Sequence, residues 1–248
     1  MIDTLGDRIK SYENVSRSYL MRRNPVMLRC DGKSFHNFTK NFNRPFDQDI
    51  ITAMVYSALC VAEEIQGFKI AYIQSDEASF VLTDYEEITT QGWFDYNVNK
   101  MVSISAALMS VAFNRKIKEL KPNVTKDVVF DSRAFSVPKD EVANALLFRQ
   151  KDWERNSLQM YCRSFFSHKE LEGKKKEDMH EMLHKIGKNW TNNLPDQIKN
   201  GTFLVKTESG IVARYDILPK YDSISKIVNP LVGIFETTIT FGVNNEDQ

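Results

Sequence analysis

Two stretches of the sequence place acidic residues at the ends of apolar runs. Asp31 follows the run over residues 25–30 and precedes Gly32, while Asp76 and Glu77 lie in a polar turn between two further apolar runs. Each run is short and rich in β-branched and aromatic residues, which predicts β-strands, with a hairpin at the polar turn. Because neighbouring carboxylates repel each other, acids at a hairpin tip mark either an exposed turn that tolerates charge or a site that uses it.

The second acid-terminated strand favours a site. If the strand ending at Asp31 lies beside the strand that follows the turn, Asp31 and Asp76 converge with the carbonyl oxygen of Gly32. Hard oxygen ligands suit Mg²⁺, which keeps several waters and takes substrate phosphates as its other ligands. Two such ions would clamp the attacking and leaving oxygens of a phosphoryl or nucleotidyl transfer. The residues therefore predict a magnesium site for that chemistry.

The elements that must position these acids follow in the order strand, helix, strand, strand, helix, strand. The first helix is predicted over residues 51–65, capped by Asp47 and ended by Gly67 at C′. The second helix is predicted over residues 93–118 and the fourth strand over residues 127–135. A right-handed crossover places the first strand beside the third. This βαββαβ order predicts an α+β, ferredoxin-like fold, the palm architecture of many nucleotide polymerases and cyclases.

The chain is expected to divide into a palm catalytic domain, residues 1–136, and a C-terminal extension, residues 137–248. The palm begins with an amphipathic helix over residues 5–20. The extension is predicted to be mostly helical with a small β hairpin. Its predicted elements are a helix over 139–166, an exposed charged loop over 168–178, a helix over 179–188, a turn or helix from 194 closed by Gly201, and strands at 202–206 and 211–215. The tail beyond Asp216 shows no pattern that places it.

The loop after Asp31 is both basic and aromatic over residues 33–44. Basic side chains interleaved with rings suit phosphate contact and base stacking. The alternative is that the phenylalanines fill the core while the lysines face solvent. A polar stretch over residues 148–157 of the long C-terminal helix leaves a similar choice between a face buried against a ligand and a solvated face.

Composition narrows the class of protein. Lys plus Arg equals Asp plus Glu at 33 each among 248 residues, so any nucleic-acid surface must be a local patch. Cys30, Cys60 and Cys162 are far apart and form no CxxC pair, which indicates thiols in a reducing compartment rather than a disulfide framework or a zinc site. No apolar run approaches the length of a membrane span and no secretion signal is recognisable, so a cytoplasmic location without membrane contact is expected.

Six blocks of the sequence form a recognisable set. They are Leu5-Gly6-Asp7-Arg8, Arg29-Cys30-Asp31-Gly32-Lys33-Ser34-Phe35-His36, Gln74-Ser75-Asp76-Glu77, Trp93-Phe94, Phe130-Asp131-Ser132-Arg133 and Arg149-Gln150-Lys151-Asp152. Together they resemble the tRNA-His guanylyltransferase superfamily, from Leu5 to about Val205. The resemblance implies an enzyme that adds nucleotides to the 5′ end of tRNA, opposite in direction to ordinary polymerases, with a polymerase-like palm and two magnesium ions. It also implies tRNA, ATP, GTP and other NTPs as partners, and a homotetramer whose subunits share one tRNA.

The resemblance assigns roles to individual residues. Asp31, Asp76 and Glu77 are expected to be catalytic, and the metals to be held by Asp31, Asp76 and the Gly32 carbonyl. The expected nucleotide-binding residues are Arg29, Lys33, Ser34, Phe35, His36, Arg44, Asp47, Ser75, Lys100 and Arg133. Of these, Arg29, Lys100 and Arg133 are candidates for triphosphate binding, and Arg44, Asp47 and Ser75 for the activating-nucleotide pocket. The C-terminal extension, residues 137–248, is expected to serve RNA binding and oligomer contacts, with RNA contacts from Arg149, Gln150, Asn156 and Ser157.

One block departs from the family pattern. Eukaryotic tRNA-His-specific members carry His-Ile-Asn-Asn-Leu-Tyr-Asn where this chain has Glu154-Arg155-Asn156-Ser157-Leu158-Gln159-Met160. The absent histidine favours the guanylyltransferase-like members, which extend 5′-truncated tRNAs by template-directed addition after activating the 5′ end with ATP or GTP. Glu154 would also repel phosphate if it faced the RNA.

The sequence leaves three alternatives to template-directed repair open. The first is a tRNA-His-specific enzyme that adds one guanosine before the first nucleotide. The second is a palm-fold nucleotide cyclase acting on free triphosphates. The third is a non-catalytic RNA-binding module, against which Asp31 and Asp76 argue, because a phosphate-binding surface gains nothing from acids without a metal.

Overall fold

A computed structural model describes residues 4–215 and 221–228. The strands are β1 Val26–Gly32, β2 Phe68–Gln74, β3 Glu77–Leu82, β4 Phe130–Ser136, β5 Thr202–Thr207 and β6 Gly210–Arg214. The helices are α1 Leu5–Val15, α2 Phe35–Phe38, α3 Gln48–Glu64, α4 Val98–Leu120, α5 Val142–Cys162, α6 His168–Leu171, α7 Lys176–Lys185, α8 Trp190–Asn193, α9 Asp196–Asn200 and α10 Tyr221–Val228. Two 3₁₀ turns cover Thr39–Asn41 and Trp93–Tyr96.

The six strands form one antiparallel sheet in the order β4-β1-β3-β2-β5-β6. The first four positions reproduce the ferredoxin-like order, so the predicted fold class is confirmed, including β1 beside β3. The predicted hairpin β5–β6 is also present. It pairs through β5 with β2 and so extends the palm sheet, a contact that crosses the expected division at residue 136.

The two faces of the sheet bury different sets of helices. Leu28 and Cys30 of β1 belong to the core shared with α3 and α4, whereas Met27 belongs to a second core shared with α5 and α10. Side chains alternate along a strand, so Arg29 and Asp31 lie on the Met27 face. The acidic end of β1 therefore shares a face of the sheet with α5.

Several predicted boundaries are wrong. Helix α3 ends at Glu64, so Gly67 is not at C′ but in the turn that leads to β2. Its φ of +78° and the carbonyl oxygen of Thr83, only 2.0 Å from where a Cβ would stand, require glycine there. Strand β4 begins at Phe130 rather than at residue 127, and α1 ends at Val15 rather than at residue 20.

The predicted exposed loop over residues 168–178 is also wrong, because α6 and the start of α7 lie there. A reciprocal capping box between Ser167 and Glu170 begins α6, with the Glu170 amide donating to the Ser167 hydroxyl. The buried Leu171 and Met179 then anchor this segment in a third core beside α5. Of the unplaced tail, the structure describes α10 and leaves 216–220 and 229–248 outside the described residues. Across the described ranges, no helix combines the length and the apolar character needed to cross a membrane.

Candidate active site

The polar turn brings the predicted metal-binding residues together. Ser75 and Asp76 join β2 to β3, and Glu77, the first residue of β3, lies opposite Asp31 of β1. The Gly32 amide donates to the Asp76 carbonyl oxygen at 3.0 Å. A Cβ at Gly32 would stand 3.2 Å from the Asp76 Cβ and 2.6 Å from an aromatic ring, so the close approach of the two segments depends on glycine.

The Asp31 and Asp76 carboxyl groups carry charge that the surrounding protein does not fully balance. Burial raises the pKa of Asp31, and the charges of Asp76 and Glu77 raise it further. Burial also raises the pKa of Asp76, opposed by a hydrogen bond from Ser75 and by the nearby His36. A divalent cation between the two carboxylates would relieve this burial penalty and repulsion.

Glu77, by contrast, is neutralised by the protein. It is buried, and the Arg149 guanidinium donates to both carboxylate oxygens, from Nε to Oε1 at 2.7 Å and from Nη2 to Oε2. Arg29 Nε lies 3.9 Å from Oε2 on the other side. A bidentate pair of this kind fixes both partners, so Glu77 connects the palm to α5.

The donor set fits magnesium. Within residues 4–215 and 221–228, no three His, Cys, Asp or Glu side chains group into a site that could hold a metal by themselves. Mg²⁺ does not need such a cage, because it is usually bound by one or two carboxylates with waters and substrate phosphates. Asp31, Asp76 and the Gly32 carbonyl are the groups that could hold it here.

A cleft of about 340 Å³ separates these acids from α5, and we call it the acidic cleft. The sheet side contributes Asp31, Gln74, Ser75, Asp76 and Glu77, and the helix side contributes Arg149, Asp152, Trp153, Asn156, Gln159, Met160 and Arg163. Sequence reasoning missed Asp152, Trp153, Gln159, Met160 and Arg163. A signal existed, because residues 149, 152, 156, 159 and 163 recur at spacings of three and four and therefore share one helix face.

A second space of about 480 Å³ adjoins the acidic cleft on the side of α3 and α9, and we call it the apolar cavity. Its walls include Phe42, Pro45, Phe46, Ile50, Met54, Ile73, Trp153 and Ile198, with polar groups from His36, Arg44, Asp47, Ser75, Asp76, Arg163, Gln197 and Thr202. Mostly apolar walls with a few polar groups are typical of a small-molecule site. The predicted residues Phe35, His36, Arg44, Asp47 and Ser75 all border it.

Two of these predicted residues, Phe35 and Asp47, have structural roles. Phe35 is buried and packs against the rings of Phe38, Phe113 and Phe130, so its ring fills the core and is not free to stack on a base. Asp47 is buried as the N-cap of α3. His36, Arg44 and Ser75 are exposed and border the cavity.

The other predicted nucleotide-binding residues lie outside the two spaces. Arg29 and Arg133 are paired across β1 and β4 and share the face of the sheet that carries Asp31. Lys100 is exposed in the first turn of α4, a helix that packs on the opposite face. Lys33 and Ser34 are exposed in the segment between β1 and α2.

The predicted RNA-binding set on α5 needs correction. Gln150 and Ser157 are buried, and the Ser157 hydroxyl donates to the Glu154 carbonyl oxygen, so neither faces an RNA. Arg149 is bound to Glu77, which leaves Asn156 as the member of the set that is open to the acidic cleft without an ion pair. The Glu154 carboxylate pairs with Lys176 of α7, and Glu154 does not line the acidic cleft.

Comparison with known proteins identifies the family. The model of the tRNAHis guanylyltransferase family matches residues 6–138, which is more than half of the chain and includes β1 to β4. The chain belongs to the tRNA(His) guanylyltransferase family. It is therefore a nucleotidyltransferase.

Individual members of the tRNA(His) guanylyltransferase family agree with this assignment. A bacterial tRNA(His) guanylyltransferase-like protein solved in complex with ATP is 38% identical, with a TM-score of 0.86 over 91% of this chain and 99% of its own. A bacterial guanylyltransferase-like protein solved in complex with GTP is 32% identical, with a TM-score of 0.77 over the same shares. The tRNA(His) guanylyltransferase of Schizosaccharomyces pombe is 29% identical over 213 residues, which cover 80% of this chain and 78% of that protein.

Proposed function

We propose that this protein adds nucleotides to the 5′ end of tRNA in the 3′-to-5′ direction, under the direction of the opposite RNA strand. The observation that carries the proposal is the placement of Asp31 and Asp76 together at one edge of the sheet, where both line the acidic cleft and Asp76 also borders the apolar cavity. The relatives solved with ATP and with GTP support nucleoside triphosphates as substrates.

The chemistry proceeds in two displacements. In the first, an oxygen of the RNA 5′-monophosphate attacks the α-phosphorus of ATP or GTP, a 5′–5′ pyrophosphate linkage forms and inorganic pyrophosphate leaves. In the second, the 3′-hydroxyl of an incoming nucleoside triphosphate attacks the RNA 5′ phosphorus, the nucleoside monophosphate leaves and the hydroxyl proton is lost. Activation is needed because the 5′-monophosphate alone would have to expel an oxide.

Asp31, Asp76 and the Gly32 carbonyl would hold two magnesium ions for both displacements. Bound there, magnesium neutralises the phosphates and lowers the pKa of the attacking hydroxyl. The protein's own contribution is to fix these ligands at one edge of the sheet. The Glu77–Arg149 pair holds α5 across the acidic cleft. Arg29 and Arg133, which lie opposite each other on β1 and β4, offer positive charge beside the cleft for triphosphate oxygens.

The proposal that the opposite RNA strand selects the nucleotide rests on a histidine that α5 lacks. The tRNA-His-specific members carry a histidine where this chain has Glu154, and Glu154 is paired with Lys176 away from the acidic cleft. Because Glu154 is bound to Lys176 and does not line the acidic cleft, it cannot read a particular tRNA end there, and the pairing energy of the incoming base has to select the nucleotide.

The test compares two additions by kcat/KM. One is addition of guanosine opposite a template cytosine on a tRNA lacking its first nucleotide, and the other is addition of an extra guanosine opposite adenosine on full-length tRNA-His. We expect the first to be at least ~10-fold faster, which corresponds to about 1.4 kcal/mol of transition-state preference. Equal rates, or a preference for full-length tRNA-His, would assign the chain to the tRNA-His-specific enzymes instead.

A homotetramer is part of the same proposal. Helix α1 has no buried residue, and Leu5, Ile9, Tyr12 and Val15 are between 48% and 86% exposed. Apolar side chains recurring along one exposed helix are typical of an interface between chains. Subunit assembly would also let several copies contact one tRNA.

A further inference from the structure

Arg163 occupies a position between the two spaces that no sequence motif indicated. It is the C-cap residue of α5, and it is exposed. Six residues line both the acidic cleft and the apolar cavity, namely Gln74, Ser75, Asp76, Trp153, Met160 and Arg163. Arg163 is the one cation among these six.

The other two arginines of α5 are already paired with carboxylates. Arg149 is bound to Glu77, and Arg155 is paired with Asp152. In the described part of the chain, the Arg163 guanidinium makes no ion pair with a carboxylate. Its five N–H donors are therefore available to a ligand.

The two spaces together match the shape and polarity of a nucleoside triphosphate. The apolar cavity of about 480 Å³ suits a base and ribose, and its polar groups include Gln197 and Thr202. The acidic cleft suits metal-bound phosphates but also contains the carboxylates of Asp31, Asp76 and Asp152, which repel an anion. A ligand that reaches from one space into the other must pass Ser75 and Asp76 on the turn side and Met160 and Arg163 on the helix side.

We propose that Arg163 binds the phosphates of the activating nucleotide, ATP or GTP, whose base lies in the apolar cavity. The planar guanidinium fork donates two parallel hydrogen bonds to phosphate oxygens, which a lysine cannot reproduce. Arg163 thus directs the α-phosphorus from the cavity into the acidic cleft, where the RNA 5′-phosphate attacks. This inference rests on the proposed function and assigns one residue of its nucleotide site.

Calorimetric titration with ATP and with adenosine, in the presence of magnesium, tests the assignment. We expect Arg163→Ala to weaken ATP binding by roughly 10- to 100-fold while adenosine binding changes by less than about twofold. Arg163→Lys should bind ATP with intermediate affinity. Arg115→Ala, which removes an exposed arginine of α4 that borders neither space, should match the unaltered protein. Unchanged ATP affinity in Arg163→Ala would overturn the assignment.

Kinetics with two RNA substrates separate the nucleotide from the RNA as the ligand of Arg163. A 5′-triphosphorylated RNA already carries a leaving group and needs no activation. Arg163→Ala should therefore raise the KM for ATP on 5′-monophosphorylated RNA by roughly tenfold or more, yet leave addition to the triphosphorylated RNA within about twofold. A higher KM for both RNAs, with the KM for ATP unchanged, would assign Arg163 to the RNA phosphate and contradict the proposal. If the unaltered protein binds ATP but activates no RNA, the proposed function fails while the binding assignment stands; if it binds no ATP, both fail.

Discussion

At the scale of single residues, the site is built around an imbalance of charge. Glu77 lies in the same cluster of acids as Asp31 and Asp76, but Arg149 compensates it with two hydrogen bonds. For Asp31 and Asp76, burial and neighbouring acids raise the pKa of each carboxyl group. The fold thus preserves two under-compensated carboxylates beside one that is paired, and a bound cation would stabilise those two.

The raised pKa of Asp76 predicts a stability effect with a definite sign. Because the folded state holds the Asp76 proton more tightly than the unfolded state, the ionised carboxylate costs stability, and that cost grows as the pH rises through the folded pKa. Asp76→Asn should therefore raise the melting temperature at neutral pH in EDTA, even though it removes a metal ligand. Magnesium should raise the melting temperature of the unaltered protein but not of this variant.

Thermal melts in EDTA and in magnesium check this expectation. Asp140→Asn is the matched control, because Asp140 is exposed in the segment before α5 and should leave both the melting temperature and the response to magnesium unchanged. A melting temperature of Asp76→Asn below that of the unaltered protein in EDTA would contradict the charge argument, as would equal stabilisation of both proteins by magnesium.

At the scale of elements, the elements of the palm were predictable because each carries its own local signal. Strands β1 to β3 are short apolar runs bounded by turn residues, and Asp47 as an N-cap residue indicates the start of α3. The pairing of β5 with β2 and the Arg149–Glu77 contact, 72 residues apart in sequence, depend on tertiary packing and left no local signal. The beginning of α6 is different, since Ser167 and Glu170 form a capping box that sequence alone could have revealed.

Asp47 shows how an element and the site depend on one side chain. Its carboxylate accepts hydrogen bonds from the amides of Asp49 and Ile50 at the start of α3, and from the Asn43 amide of the loop that borders the apolar cavity. Asp47→Ala should lower the free energy of unfolding by about 1–2 kcal/mol, while Asp47→Asn, an equally good N-cap, should lose less. Urea denaturation of both variants measures this. If Asp47→Ala unfolds at the same urea concentration as the unaltered protein yet binds ATP poorly, the residue acts on the nucleotide rather than on the helix.

At the scale of the whole molecule, the candidate site lies on one face of the single sheet, and helix α1 has no buried residue. We expect the exposed apolar side chains of α1 to be buried between subunits of a tetramer. Light scattering at micromolar concentration should then give about four times the chain mass of 28.7 kDa. A single species of 28.7 kDa that stays unchanged on addition of tRNA would rule the tetramer out.

The central claim is that Asp31 and Asp76 support magnesium-dependent addition at an RNA 5′ end. The most direct measurement incubates α-labelled ATP or GTP with 5′-monophosphorylated tRNA lacking its first nucleotide, with magnesium or with EDTA. The unaltered protein should form the nucleotide-capped RNA and then the lengthened RNA only in magnesium. Asp31→Ala and Asp76→Ala should each be at least roughly hundredfold slower in both steps while remaining folded, and Asp140→Asn should be unaffected. Near-normal activity of either folded alanine variant, or equal product in EDTA, would contradict the claim.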